Sequence, residues 1–193
     1  MAFTVRTNAP FRADVVGSFL RPDVLHNARK LHASGLLDDA GLKKVEDECI
    51  TDLIKKQVAH GLKVITDGEF RRSWWHLDFM WGLRGVEKAS RERGFGFVGI
   101  ETRAETAVIT GKISGENHPF VEHFKFVKQF ESLADGLVAR QTIPAPAQTL
   151  ATFLNVRNTE LKTNWRDFYA SEEALIEDIG AAYRTVIKDL YAA

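Results

Sequence analysis

The stretch from Leu42 to Ile65 constrains the fold more than any other part of the chain. Leu42, Val45, Cys49, Leu53, Ile54 and Val58 recur at three- and four-residue spacing, the apolar stripe of an amphipathic helix. Asp38 or Asp39 can cap its start, and Gly61 is placed to stop it in the left-handed conformation. GLKVIT follows at once and reads as a short buried strand. FRADVVG, at 11–17, reads as an earlier strand, so the order is strand, long connection, helix, strand. That order implies parallel pairing with a right-handed crossover.

Beyond this unit the pattern changes. Between Val86 and Ser114 the apolar residues Phe95, Phe97, Val98, Ile100, Val108, Ile109 and Ile113 sit among glycines and polar residues, which predicts an antiparallel β excursion. His118-Pro119 opens a helix with Phe120, Phe124, Val127, Phe130 and Leu133 on one face and Gly136 beyond its end. LVARQTI, 137–143, reads as a third strand, broken at once by Pro144 and Pro146. Ser171 caps a last helix whose first turn carries Glu172 and Glu173 and whose apolar side carries Leu175, Ile179, Ala182, Tyr183, Val186 and Leu190.

Strands alternating with helices make the class α/β. A complete eight-fold βα barrel takes about 250 residues or more. The 193 residues therefore predict one domain, 1–193, amounting to about the first half of a (β/α)8 TIM barrel with the excursion at 86–114 hung on it. A free-standing doubly wound sheet is the alternative, but no Gly-rich phosphate loop supports it.

Composition narrows the function classes. Lys plus Arg equals Asp plus Glu at 26 each, so no overall basic field draws the chain to nucleic acid. No apolar run approaches the roughly 18 residues of a membrane span, and no signal-peptide core is visible. The lone Cys49 can form no internal disulfide. The expectation is a cytoplasmic protein with no nucleic-acid or membrane partner.

The chemistry concentrates at strand ends. GSFLRP, 17–22, places Gly17 and Ser18 where an α/β fold exposes backbone groups and a hydroxyl to ligands; a plain turn is the alternative. TDGEFRR, 66–72, follows the second strand, and Gly68 allows a bend that would aim Glu69 over the sheet's end. Glu69 could hold a substrate ammonium or act as a general base; Asp67 could equally cap a helix, and Arg71 and Arg72 could form a structural ion-pair cluster. SWWHLDFMW, 73–81, sets Trp74, Trp75, Phe79 and Trp81 around His76. These rings could wall a flat ligand such as a pterin, or they could be core or interface. Gly17, Ser18, Asp67, Glu69 and His76 are the candidate substrate-binding residues; no catalytic residue and no metal ligand is assigned.

In this order, FRADVVGSFLRP, ITDGEFRRSWWHLDFMWGLRGVE and QTIPAPAQTL resemble the cobalamin-independent methionine synthase superfamily. The branch they look most like is the short, single-barrel proteins called 5-methyltetrahydropteroyltriglutamate–homocysteine methyltransferase-like. The resemblance implies a TIM barrel that transfers a methyl group from a folate to the thiol of homocysteine, in methionine biosynthesis. It implies that Gly17 and Ser18 cradle the amino acid's carboxylate and that Glu69 contacts its amino group. It also implies a zinc ion that binds the thiol, but the family's His-x-Cys pair, Glu and further Cys have no counterpart in this sequence. The chain thus reads as the N-terminal half of a longer barrel, inactive alone, that associates with another copy or with a missing second half. Zinc-dependent alkyl transfer to another thiol, such as coenzyme M, and a non-catalytic, self-associating role are the alternatives.

Overall fold

The computed structural model describes residues 15, 18–91, 96–97, 100–101, 103–155 and 164–193. Gly17, and all of FRADVVG except Val15, lie outside the described residues. The order of elements is α1 (Asp23–Ala33), α2 (Asp39–Ala59), β1 (Val64–Ile65), α3 (Leu77–Trp81), β2 (Arg84–Ser90), β3 (Gly96–Phe97) and β4 (Ile100–Glu101). Then follow β5 (Glu105–Ser114), α4 (Pro119–Lys128), β6 (Val138–Ala139), α5 (Pro146–Phe153) and α6 (Glu172–Ala192). The architecture is mixed α/β. No helix among the described residues is long and apolar enough to cross a membrane.

The chain sorts into two compact units: Met1–Arg72 with Glu122–Thr142, and Ser73–Val121 with Ile143–Ala193. In the first, β1 and β6 pair in parallel, Val64 opposite Val138 and Ile65 opposite Ala139. Parallel strands leave a sheet by the same edge, so the loops after Ile65 and after Ala139 emerge side by side. Leu25, Ile50, Ile54, Ile65, Phe70 and Val127 form the core of this unit. The Asp38 side chain accepts the Gly41 N–H at 2.8 Å as the cap of α2. Gly61, at φ +79°, supplies the left-handed stop. Gln57 on α2 donates its amide N–H to the Thr66 carbonyl at 2.8 Å and accepts the Thr66 N–H at 3.1 Å, so a buried side chain satisfies the backbone where β1 ends.

In the second unit β2 and β5 form the antiparallel excursion, with Val86 opposite Ile109 and Ser90 opposite Glu105. The register shifts between Arg84 and Val86, where Gly85 takes φ +72°; a Cβ there would lie 2.3 Å from the Lys112 carbonyl oxygen. Phe79, Met80, Ala107, Phe120, Leu175 and Val186 belong to one buried cluster. His118 is buried in it, bonding the Phe79 carbonyl through Nε2 at 2.9 Å and accepting the Phe120 N–H on Nδ1 at 3.1 Å. Ser171 caps α6 by accepting the Ala174 N–H.

Three elements depart from the sequence expectations. The long connection expected before the helix at 42–60 holds a helix of its own, α1, with Pro22 as its N-cap. Pro146 does more than end a strand, since it sits in the first turn of α5, where its missing N–H costs nothing. The third strand is short, two residues rather than the seven of LVARQTI, because its ladder with β1 covers only Val138 and Ala139.

Candidate functional site

The loop from Thr66 to Arg72 is wound on its own polar groups. The Gly68 N–H donates to Thr66 Oγ1 at 3.1 Å, and the Glu69 N–H donates to Asp67 Oδ1 at 2.8 Å. The Arg72 N–H closes back on the Glu69 carbonyl at 3.1 Å. Gly68 has φ +63°, and a Cβ on it would meet Leu53 Cδ2 at 2.4 Å, so glycine is required twice over. Glu69 also has positive φ, +59°, which costs a side-chain-bearing residue about 1–2 kcal/mol. Such strain persists only where the surroundings over-determine it.

Arginines do the over-determining. Arg21 Nη2 donates to the carbonyls of Glu69 and Arg72 at 2.7 and 2.9 Å. Arg29 on α1 donates to the Arg72 carbonyl at 2.9 Å and to that of Phe70. Arg71 turns to α2, pairing with Glu46 at 3.2 Å and with Asp47. The Phe19 N–H reaches the Gly68 carbonyl at 3.2 Å, which sets the exposed Ser18 beside the loop. The structure thereby places Ser18 next in sequence to a residue bonded to the loop that carries Asp67 and Glu69.

The Glu69 side chain is 13% exposed. Its Oε1 accepts from Arg72 Nη1 at 3.1 Å and from Thr142 Oγ1 at 3.0 Å. Its N–H and C=O are engaged by Asp67, Arg21 and the Arg72 amide. Among the described residues no donor engages the remaining oxygen, Oε2. Asp67 is buried and spends Oδ1 inside the loop. Sequence reasoning missed Thr142 and Arg21. Thr142 stands in the expected strand-end motif but carries no signal of its own, whereas Arg21 lies within the GSFLRP block.

His76 belongs to the second unit. There it lines a cavity of about 390 Å³ with Trp74, Trp75, Arg91, Glu105 and Gln148. Its ring lies 4.9 Å from that of Trp75, and its Nδ1 is buried with no hydrogen-bond partner among the described residues. Burial lowers its pKa, against the opposing charge of Asp78. Glu105 is pushed up by burial, but hydrogen bonds from Lys88 and Trp74 outweigh this and lower its pKa. Trp74 Nε1 donates to Glu105 at 2.6 Å. Of the aromatics, Phe79 is wholly buried core and Trp75 is 48% exposed.

The donor set does not fit the implied zinc. Among the described residues no group of three or more His, Cys, Asp or Glu could hold a metal. Burial, with Asp52, Glu48 and Glu46 nearby, raises the Cys49 thiol pKa, the opposite of what a thiolate ligand needs.

No protein-family model matches the chain. It is 36% identical over 186 residues to the uncharacterised YxjG of Bacillus subtilis, covering 96% of this chain and 46% of that protein. It is 27% identical over 184 residues to a methionine synthase of Saccharolobus solfataricus, covering 48% of it. A crystal structure of a candidate vitamin-B12-independent methionine synthase from Listeria monocytogenes superposes with a TM-score of 0.69 at 37% identity, over 96% of this chain and 49% of that one. A B12-independent methionine synthase from Shewanella sp., solved with selenomethionine, shares the fold at a TM-score of 0.54 and 19% identity. The chain spans about half the length of the curated relatives it matches. These relatives and structural neighbours include cobalamin-independent methionine synthases, and the match over about half of each is consistent with an N-terminal half of that superfamily.

Proposed function

We propose that this chain is the amino-acid-binding half of a TIM-barrel methyltransferase that moves a methyl group from a methylfolate to the thiol of homocysteine. In this reading residues 1–193 are one half of a barrel rather than a free-standing domain. The observation that carries it is Glu69 Oε2, a carboxylate oxygen with no donor among the described residues, on a strained, braced residue at the carboxyl edge of a parallel strand pair. Ligands gather at that edge in α/β folds. The homocysteine ammonium donates to Oε2, and the turn at Ser18 faces the amino acid's carboxylate. In the transfer the thiolate sulfur bonds to the methyl carbon, the folate N–CH3 bond breaks, and the freed nitrogen takes a proton. The chain's part is to bind and orient, and no step passes through zinc. The tryptophan-walled cavity of the second unit suits a flat ring such as a pterin.

The same oxygen favours an amino-bearing thiol over coenzyme M, which carries no ammonium. Calorimetric titration with L-homocysteine, 4-mercaptobutanoate and coenzyme M tests this. L-homocysteine should bind at least about tenfold more tightly than either desamino thiol, in line with a charge-assisted hydrogen bond. Equal affinities would overturn the reading.

A second reading has its own support. Ile176, Ile187 and Tyr191 lie along one side of α6 and are 46%, 51% and 93% exposed. Apolar surface of that kind favours association of the chain with itself. Sedimentation of the purified chain decides, and a monomer at high concentration would count against it.

A further inference from the structure

We propose that Arg72 and Thr142 are positioning residues that hold Glu69 with Oε1 turned into the protein and Oε2 presented to a ligand ammonium. The proposal rests on the reading of Glu69 as the ammonium acceptor, and goes beyond it in saying what aims the carboxylate.

The geometry is that of a three-membered ring of contacts. Arg72 Nη1 donates to Glu69 Oε1 at 3.1 Å, Thr142 Oγ1 donates to the same oxygen at 3.0 Å, and Arg72 Nη2 donates to Thr142 Oγ1 at 2.8 Å. The Thr142 hydroxyl has one proton, so giving it to Oε1 leaves its lone pairs for Arg72. Arg72 is anchored independently, since Nη2 also donates to the Thr142 carbonyl at 2.6 Å and the side chain is 2% exposed. Both donors converge on one oxygen of the carboxylate. The carboxylate's rotation is thereby fixed, with Oε1 held by the two donors and Oε2 left outside the ring of contacts.

The parallel pairing of β1 with β6 makes this possible. Glu69 follows one strand and Thr142 the other, and they meet across 73 positions of sequence. A planar guanidinium suits the task because its fork engages a carboxylate and a carbonyl at fixed angles, which a lysine ammonium does not impose. One open oxygen, rather than two, also selects for a ligand with an N–H to give: a primary ammonium satisfies it and a quaternary one does not.

The test is the ratio of affinities for L-homocysteine and 4-mercaptobutanoate, measured by calorimetry on the full chain and on Arg72→Lys, Thr142→Val and Thr142→Ser. The ratio is the readout because general loss of structure weakens both thiols alike. Thr142→Val and Arg72→Lys should each cut the wild-type ratio about tenfold, the scale of one charge-assisted hydrogen bond, and Thr142→Ser should restore it. A wild-type ratio retained in folded Thr142→Val and Arg72→Lys would overturn the clamp while leaving the role of Glu69 intact. If Arg72→Lys does not fold, Thr142→Val and its serine rescue carry the test. A wild-type ratio near one would overturn the role of Glu69, and the clamp with it.

Discussion

Gly68 and Glu69 are consecutive left-handed residues, at φ +63° and +59°. The first is glycine by necessity, and the second is a glutamate held there by its neighbours. Two substitutions separate strain from contact. Glu69→Ala and Glu69→Gly both delete the carboxylate, but only glycine relieves the backbone. Glu69→Gly should be the more stable of the two by about 1 kcal/mol, read from urea denaturation. Equal stabilities would mean that the loop relaxes and no strain is stored.

Gly68→Ala adds a methyl group 2.4 Å from Leu53 Cδ2 at a position that already disfavours it. It should cost about 1–3 kcal/mol and also weaken the homocysteine binding proposed above, because the loop cannot keep its shape. A fully stable variant with unchanged binding would refute this account of the bend.

The Glu46 carboxyl is raised above 4.5 by burial, against the opposing pull of Arg71 and Arg29. The folded chain therefore keeps the Glu46 proton to a higher pH than the unfolded chain. Stability from this group is present below the unfolded value and is lost as pH rises through the folded one. Relative to Glu46→Gln, wild type should lose stability as pH climbs from below 4.5 toward neutrality. A flat difference between the two across that window would contradict it.

His76 titrates in the opposite sense. Burial lowers its pKa from 6.5, so the unfolded chain takes the proton first as pH falls. Its contribution is present above 6.5 and is lost as pH drops through the lower folded value. NMR of the His76 ring should give a midpoint below 6.5. A midpoint at or above that value would sink the prediction.

In the second unit Gly115 lies against α6, where a Cβ would come 2.2 Å from the Ala182 carbonyl oxygen. Backbone cannot yield as a side-chain tip can. Gly115→Ala should cost about 3 kcal/mol or more, with the melting transition reporting the loss.

How much of this was legible in the sequence depends on how far apart the partners are. The helix stop at Gly61, the Ser171 cap and the apolar faces of α2 and α6 are local, and the residues show them directly. The antiparallel excursion was visible too, through apolar residues set among glycines and polar ones, although Phe95 and Val98 of that reading lie outside the described residues. Helix α1 was not, because only Leu25 and Ala28 are buried while Val24 and Leu31 are 57% and 45% exposed. A face that narrow has no clear period. Pro146 misled because a strand stop and a first helical turn use the same residue. Glu69 could be found from the bend beside it. Thr142 could not, since its role exists only once Val138 has paired with Val64.

Arg21 is joined to the loop carrying Glu69 through backbone carbonyls rather than side chains. Its bond is therefore indifferent to which residues occupy 69 and 72, and it survives any substitution there that keeps the main chain. It also means that the 18–21 turn and the 66–72 loop cannot open separately without breaking the bonds of a half-buried guanidinium to two carbonyls. In hydrogen exchange the Phe19 and Arg72 amides should share one protection factor, and Arg21→Met should loosen both together. The 18–21 turn and the 66–72 loop are then a single cooperative unit, so a change at Phe19 or Arg21 reaches the backbone of Glu69.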